Sequence, residues 1–169
     1  MIEVQPYSDH AAMSVLKNLD PMDQIEAELI RGGSATHLAI FADWRAVNGM
    51  RLISSVLSVS GRPFAVLALG HTGQAGVAQA ALLSRSHQRF RRPLLEVARR
   101  IRREMPAICE EWGVHRIEAR AWSGHPRAGR FLRLCGFHLE AEMPGFGADG
   151  STSFHQYAWI SPKLSKGET

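Results

Sequence analysis

The sequence predicts an α/β fold: a mixed, mostly antiparallel β-sheet flanked by helices. Three observations carry that reading. Segments of period two and of helical period follow one another in the order β, α, α, β, β, β, α, β, α, β, β. Ser60-Gly61-Arg62 joins two apolar runs, a hairpin signal. The stretch from His115 to Phe137 reads as strand, loop, short helix and Gly-Phe, and a further strand follows it. The 169 residues are 45% hydrophobic and 21% charged, ordinary globular composition with enough chain for one core. We expect a single unit over 1–160 and a polar tail over 161–169.

The elements follow in order. Ile2 and Val4 alternate with polar neighbours and predict a first strand. Ser8 or Asp9 can cap a helix running to about Leu19. Asp20-Pro21 is a second helix start, and Met22, Ile25, Leu29 and Ile30 give that helix an apolar stripe that Gly32-Gly33 ends. Ser34 to Met50 has no clear period and reads as an irregular or partly helical insertion. Leu52–Val59 and Pro63–Leu69 are the hairpin strands, although a helix over the first remains open. A turn-rich loop, His71 to Gly76, precedes a strand over Val77–Leu83.

From Leu94 the apolar positions Val97, Ala98, Ile101, Met105, Ile108, Cys109 and Trp112 fall on one helical face, with the helix starting at Pro93. Pro106 should kink or split this helix, because it lacks an N–H and clashes with the preceding turn. Arg116–Trp122 alternates as a half-buried strand. Pro126 can sit in the first turn of the helix that follows. Gly136 ends that helix, and Phe137 to Met143 alternates again. Pro144 to Gly150 is a loop, and Phe154–Ile160 is a last strand antiparallel to its predecessor.

The His115–Phe137 unit, and the element order over nearly the whole chain, resemble the Gcn5-related N-acetyltransferase (GNAT) superfamily. The family writes its short helix as Asn-x-x-Ala, then Tyr, then Gly-Phe; the matching positions here are His125, Ala128, Leu132 and Gly136-Phe137. The resemblance implies a sheet splayed between Val77–Leu83 and Arg116–Trp122. It also implies acetyl-CoA as cofactor, with pantetheine along Leu82 to Ser84 and pyrophosphate near Arg89 to Leu94. The residues it places on the cofactor are Leu83, Ser84, Arg89, Arg91, Arg92, Leu94, His125 and Phe131. Two departures stand out. The family's phosphate loop puts small residues where this chain has Arg91 and Pro93; arginine side chains can bind phosphate bidentately, but proline offers no N–H. Leucine at 132 cannot protonate a leaving thiolate as the family's Tyr does.

No catalytic residue is named. His87, Ser123 and His125 fall at the strand ends where the cleft would open. A neutral histidine could act as general base, whereas a surface histidine without a chemical role is the commoner case. Asp20-Pro21, Gly61-Arg62-Pro63, Phe131-Leu132-x-x-x-Gly136-Phe137 and Gly147-x-Asp149-Gly150 resemble GNAT-like proteins encoded in phage and prophage regions. Two functions follow from the resemblances. One is acetyl-CoA-dependent acetylation of a small amine or a protein amine. The other is a non-enzymatic virion or head–tail component whose partners are phage proteins.

Composition bounds the partners. No apolar run approaches the roughly 18–20 residues of a membrane span, and MIEVQPYSD has neither a basic nor an apolar leader region. Cys109 and Cys135 sit on apolar helix faces without zinc-ligand spacing, so reduced buried thiols in the cytoplasm are expected and no metal. The net charge is +4 and the pI near 9.6, with Arg85, Arg89, Arg91, Arg92, Arg99, Arg100, Arg102 and Arg103 in one segment. The first four gather at the loop before the long helix and predict a compact anion site. The helical four are interrupted by Glu96 and Glu104 and predict a solvated or protein-facing surface, with nucleic acid disfavoured.

Overall fold

In the computed structural model, residues 1–162 are described; the predicted tail lies outside them beyond Pro162. Seven strands form one sheet in the order β1-β2-β3-β4-β5-β7-β6. They are β1 (Ile2–Pro6), β2 (Arg51–Val59), β3 (Arg62–His71), β4 (Val77–Ser84), β5 (Arg116–Trp122), β6 (His138–Phe146) and β7 (Thr152–Ile160). Among the described residues only β4 and β5 pair in parallel; every other pair is antiparallel. The helices are α1 (Asp9–Leu16), α2 (Pro21–Arg31), α3 (His37–Ala46), α4 (Arg91–Glu111) and α5 (Ala128–Cys135).

Both faces of the sheet are covered. Ala12, Val15 and Leu16 of α1 and Ile40 and Trp44 of α3 pack on Val56, Val66 and Ala68. On the opposite face, the first half of α4 covers Leu57, Phe64 and Ala65. Its second half and α5 cover Ile117, Ala119, Ala121, Tyr157 and Trp159.

The strands of the hairpin are as the alternation predicts, and the helical alternative for Leu52–Val59 is excluded, since Arg51–Val59 pairs with both β1 and β3. Several boundaries differ for local reasons. The 34–50 stretch is mostly helix: Thr36 Oγ1 accepts from Ala39 N–H, and only Ile40 and Trp44, one turn apart, are buried, so its apolar period is too short to read. The first helix stops at Leu16. The second buries Asp23 rather than its apolar stripe, and Ile30 is 64% exposed. The long helix begins at Arg91, two residues before Pro93, and runs unsplit through Pro106. Pro126 precedes α5 instead of opening it. The sixth strand extends through Pro144 and Gly145 to Phe146, which pairs with Thr152, so the predicted loop shrinks to its second half.

The β4–β5 ladder is the feature that positions everything else. It holds for three pairs, from Val77↔Arg116 to Gln79↔Glu118, and then stops, although β4 continues to Ser84 and β5 to Trp122. Beyond Gln79 the strands diverge, as the sequence predicts.

Candidate functional site

A sheet opened along one side leaves backbone donors and acceptors without a ladder partner, which is costly unless something satisfies them. Arg85 N–H donates back to Phe64 on β3, so the preceding residue, Ser84, turns its peptide groups the other way, into the gap. On β5, Ser123 N–H donates to Ser153, so Trp122 N–H also turns into the gap. Both are met by α2. Ser84 N–H donates to Asp23 Oδ2 at 2.8 Å, and Trp122 N–H donates to Glu26 Oε2 at 2.9 Å. Asp20 N–H donates to Ser84 C=O at 2.9 Å. Carboxylates at i and i+3 lie on one helix face, so Asp23 and Glu26 can reach two diverging strands at once. The second helix is therefore a strut across the mouth of the splay.

Two histidines complete the strut. Asp23 Oδ1 lies 3.0 Å from His87 Nε2 and 3.2 Å from His125 Nε2, and the two rings are 5.4 Å apart. Asp20 Oδ1 caps α2 by accepting Met22 N–H, while its Oδ2 accepts His87 N–H at 2.7 Å. His87 Nδ1 lies 3.4 Å from Asp20 Oδ1, close enough for charge attraction but not aligned to hydrogen-bond. Asp20, Asp23, His87 and His125 are all buried, so the expectation of surface histidines is wrong for both positions.

The electrostatics follow from this crowding. Burial alone would raise the Asp23 carboxyl, but hydrogen bonds from His125 and His87 and the charge of His87 hold it below its usual range. Burial alone would lower His87; the hydrogen bond and charge of Asp23, with the charge of Asp20, override it and raise the imidazole above its usual value. Glu26 moves the other way, because burial raises its carboxyl more than the Trp122 N–H lowers it.

Asp23, His87 and His125 present ligand atoms within 4.8 Å of one another, the spacing of a metal set. The hydrogen bonding of His125 argues against that use. Its Nδ1 accepts N–H from both Arg127 and Ala128, at 3.2 and 2.9 Å, so the ring proton sits on Nε2 and is donated to Asp23. A metal would need the lone pair that this proton occupies. His125 instead caps α5, at the position where the resemblance places an Asn.

A cleft of about 1060 Å³ runs through the splay. It is lined by six consecutive β4 residues, 79–84, so it meets both faces of the sheet. Leu83, Ser84, Arg91, Leu94, His125 and Phe131, all predicted as site residues, line it; Arg89 and Arg92 are exposed and do not. Leu82 shares the orientation of Ser84, so its peptide groups also face the gap, past the last β4–β5 pair. The Ser84 hydroxyl is buried with no hydrogen-bond partner among the described residues.

The loop arginines do not form the compact cluster expected. The Arg85 and Arg89 guanidiniums lie 5.9 and 5.7 Å from the Phe90 ring, which is buried and stacked on Phe64. Arg85 also donates to Pro63 C=O. Of the four, only Arg91 lines the cleft. On the helix, Arg99, Arg102 and Arg103 are exposed, and Arg100 pairs with Glu104.

Asp20, Asp23 and Glu26 were missed as site residues. The available signal was the three-residue spacing of Asp20, Asp23 and Glu26 from the cap into α2, with Asp23 and Glu26 sharing a face with Ala27 and Ile30.

No family model and no curated protein matches the chain. Solved structures do. The chain is similar to a GNAT-family acetyltransferase from Bacillus anthracis (TM-score 0.69, 11% identity, 94% of each chain covered). It is also similar to spermidine N-acetyltransferase from Vibrio cholerae in complex with CoA and spermine (0.69, 10%, 98% of each). A third is the ribosomal-protein-S18-alanine N-acetyltransferase from Escherichia coli (0.63, 15%, 95% of each). At these identities the likeness establishes the fold, which is the GNAT fold.

Proposed function

We propose that the protein is an acetyl-CoA-dependent N-acetyltransferase whose general base is Glu26. The observation that carries the reading is the propped splay: a cleft crosses the sheet beside the unpaired Leu82 peptide, with a raised carboxyl at its rim. The fold neighbours that bind CoA support the choice of cofactor. So do the residues present. The Leu82 peptide groups and the unpartnered Ser84 hydroxyl suit the amides of a pantetheine arm. At the start of α4 the amides of Arg91 and Arg92 have no protein partner among the described residues, and a helix N-terminus favours an anion. Pro93 contributes no donor, so the arginine side chains carry more of the phosphate binding than backbone does. Bound there, acetyl-CoA would supply an activated thioester.

The chain's own contribution is to receive the amine and its proton. Glu26 Oε2 is held by Trp122 N–H, and among the described residues no hydrogen bond engages Oε1. That oxygen can take a proton from an amine entering the cleft, and a raised carboxyl is a better base than an ordinary one. Leu132 half-buries against α4 and β7 residues and donates nothing, so thiolate protonation has no side chain assigned.

Leu132 favours a second reading, a non-catalytic protein that keeps the fold, as in the virion or head–tail alternative. Turnover of acetyl-CoA against a panel of primary amines separates the two. The enzyme reading expects thiol release that Glu26→Gln lowers by about 10²-fold or more, with loss of the acidic limb of the pH profile. No release with any amine, or an unchanged rate in Glu26→Gln, would leave the non-catalytic reading standing.

A further inference from the structure

We propose that the protein has a second ligand site, for a small oxyanion of the phosphate class, in the pocket between α5 and β7. It adjoins the cleft and needs no acetyl-CoA chemistry. The pocket is about 220 Å³, the scale of one small polar group with its hydration.

Its construction starts at Gly129. A Cβ there would stand 2.4 Å from Tyr157 Oη and 3.8 Å from Arg133 Nη1. Only glycine lets the Tyr157 hydroxyl come that close to α5, and Arg133 Nη1 lies on the same side. Tyr157 is 2% exposed and lines the pocket beside Gly129 and Arg133.

The charged side chains around it are the guanidiniums of Arg130 and Arg133. Arg130, Arg133 and His155 line the pocket, and among the described residues no carboxylate does. Neither arginine is in an ion pair among the described residues, while the Arg133 guanidinium lies 5.9 Å from the Tyr157 ring. Two guanidiniums, an imidazole and a phenol hydroxyl around a small void form a donor set for a tetrahedral oxyanion. His125 and Arg130 line both this pocket and the cleft, so an occupant would adjoin the start of α5, where His125 caps the helix.

The test is a titration of the full chain at constant ionic strength, followed by thermal melting and by amide chemical shifts. Inorganic phosphate and glycerol 3-phosphate are the two probes, and chloride is the control. Saturable stabilisation is expected, with the largest shifts at Gly129, Arg133 and Tyr157. A response to both probes assigns the phosphate group itself. A response to the ester alone assigns a phosphorylated small molecule. Arg133→Gln should weaken binding by about tenfold or more, the loss expected for one charge-assisted hydrogen bond, and Tyr157→Phe should weaken it independently. Arg91→Gln with Arg92→Gln, at the start of α4, should leave it unchanged. Failure of both probes to saturate would overturn the proposal. So would binding that survives Arg133→Gln and disappears in the α4 double variant.

Discussion

Asp23→Asn removes the charge around which the strut is built. The carboxylate accepts three hydrogen bonds: Ser84 N–H on Oδ2, and the Nε2 atoms of His87 and His125 on Oδ1. An asparagine has one acceptor oxygen, so its NH2 group must face at least one of these donors. The residue is 7% exposed, so water does not repair the mismatch. Breaking a buried ion pair while its partner stays charged costs about 3–5 kcal/mol; Asp20 still faces His87 at 3.4 Å, which places the expectation near the lower figure.

The sign of the pH dependence follows from the shifts. His87 is raised above its usual 6.5, so its contribution is complete below pH 6.5 and is lost as pH rises through its folded value. Asp23 is lowered below 3.8, so its contribution is present above pH 3.8 and is lost as pH falls through its folded value. The penalty of Asp23→Asn should therefore be largest between those limits and shrink once His87 is neutral. Urea unfolding of both proteins at about pH 5.5 and about pH 8.5 measures it. A penalty under about 1 kcal/mol at the lower pH, or one equal at the two values, would refute this account of the strut.

Other predictions are independent of it. Gly129→Ala should destabilise by about 1–3 kcal/mol through the contact with Tyr157 Oη. In a Tyr157→Phe background it should turn neutral or stabilising by up to about 1 kcal/mol, because alanine is the better helix former; equal effects in both backgrounds would contradict the contact. Burial pushes the Cys109 thiol up to about 11 and the Cys135 thiol up to about 12, and each is 1% exposed. Neither should react with a disulfide reagent in the native protein and both should in denaturant; rapid native labelling would contradict their placement.

The order of elements, α3 apart, was legible because its signals are local. Alternation marks the strands, and Gly136, with φ of 102°, ends α5 in the left-handed conformation that glycine prefers. The splay was legible through the family resemblance. The strut was not, and the reason is distance along the chain. Asp23 meets Ser84 across 61 residues and His125 across 102, and Glu26 meets Trp122 across 96. Nothing near Asp23 shows that a backbone amide will need its carboxylate. The local signals pointed elsewhere: Asp20-Pro21 as a helix start, which it is, and Met22, Ile25, Leu29 and Ile30 as a buried stripe, which it is not. The histidines were noticed at the strand ends, but their burial depends on the same distant acids. Phe90 likewise reads as one aromatic among arginines until Phe64 stacks beneath it.

By propping the β4–β5 splay, α2 leaves the Leu82 peptide open to a ligand. Amide hydrogen exchange, with and without saturating acetyl-CoA, tests it most directly. Ser84 and Trp122 amides, already bonded to Asp23 and Glu26, should be protected in the free protein, and the Leu82 amide should exchange fast until the cofactor protects it. An unprotected Ser84 or Trp122 in the free protein, or a Leu82 amide indifferent to acetyl-CoA, would contradict the account.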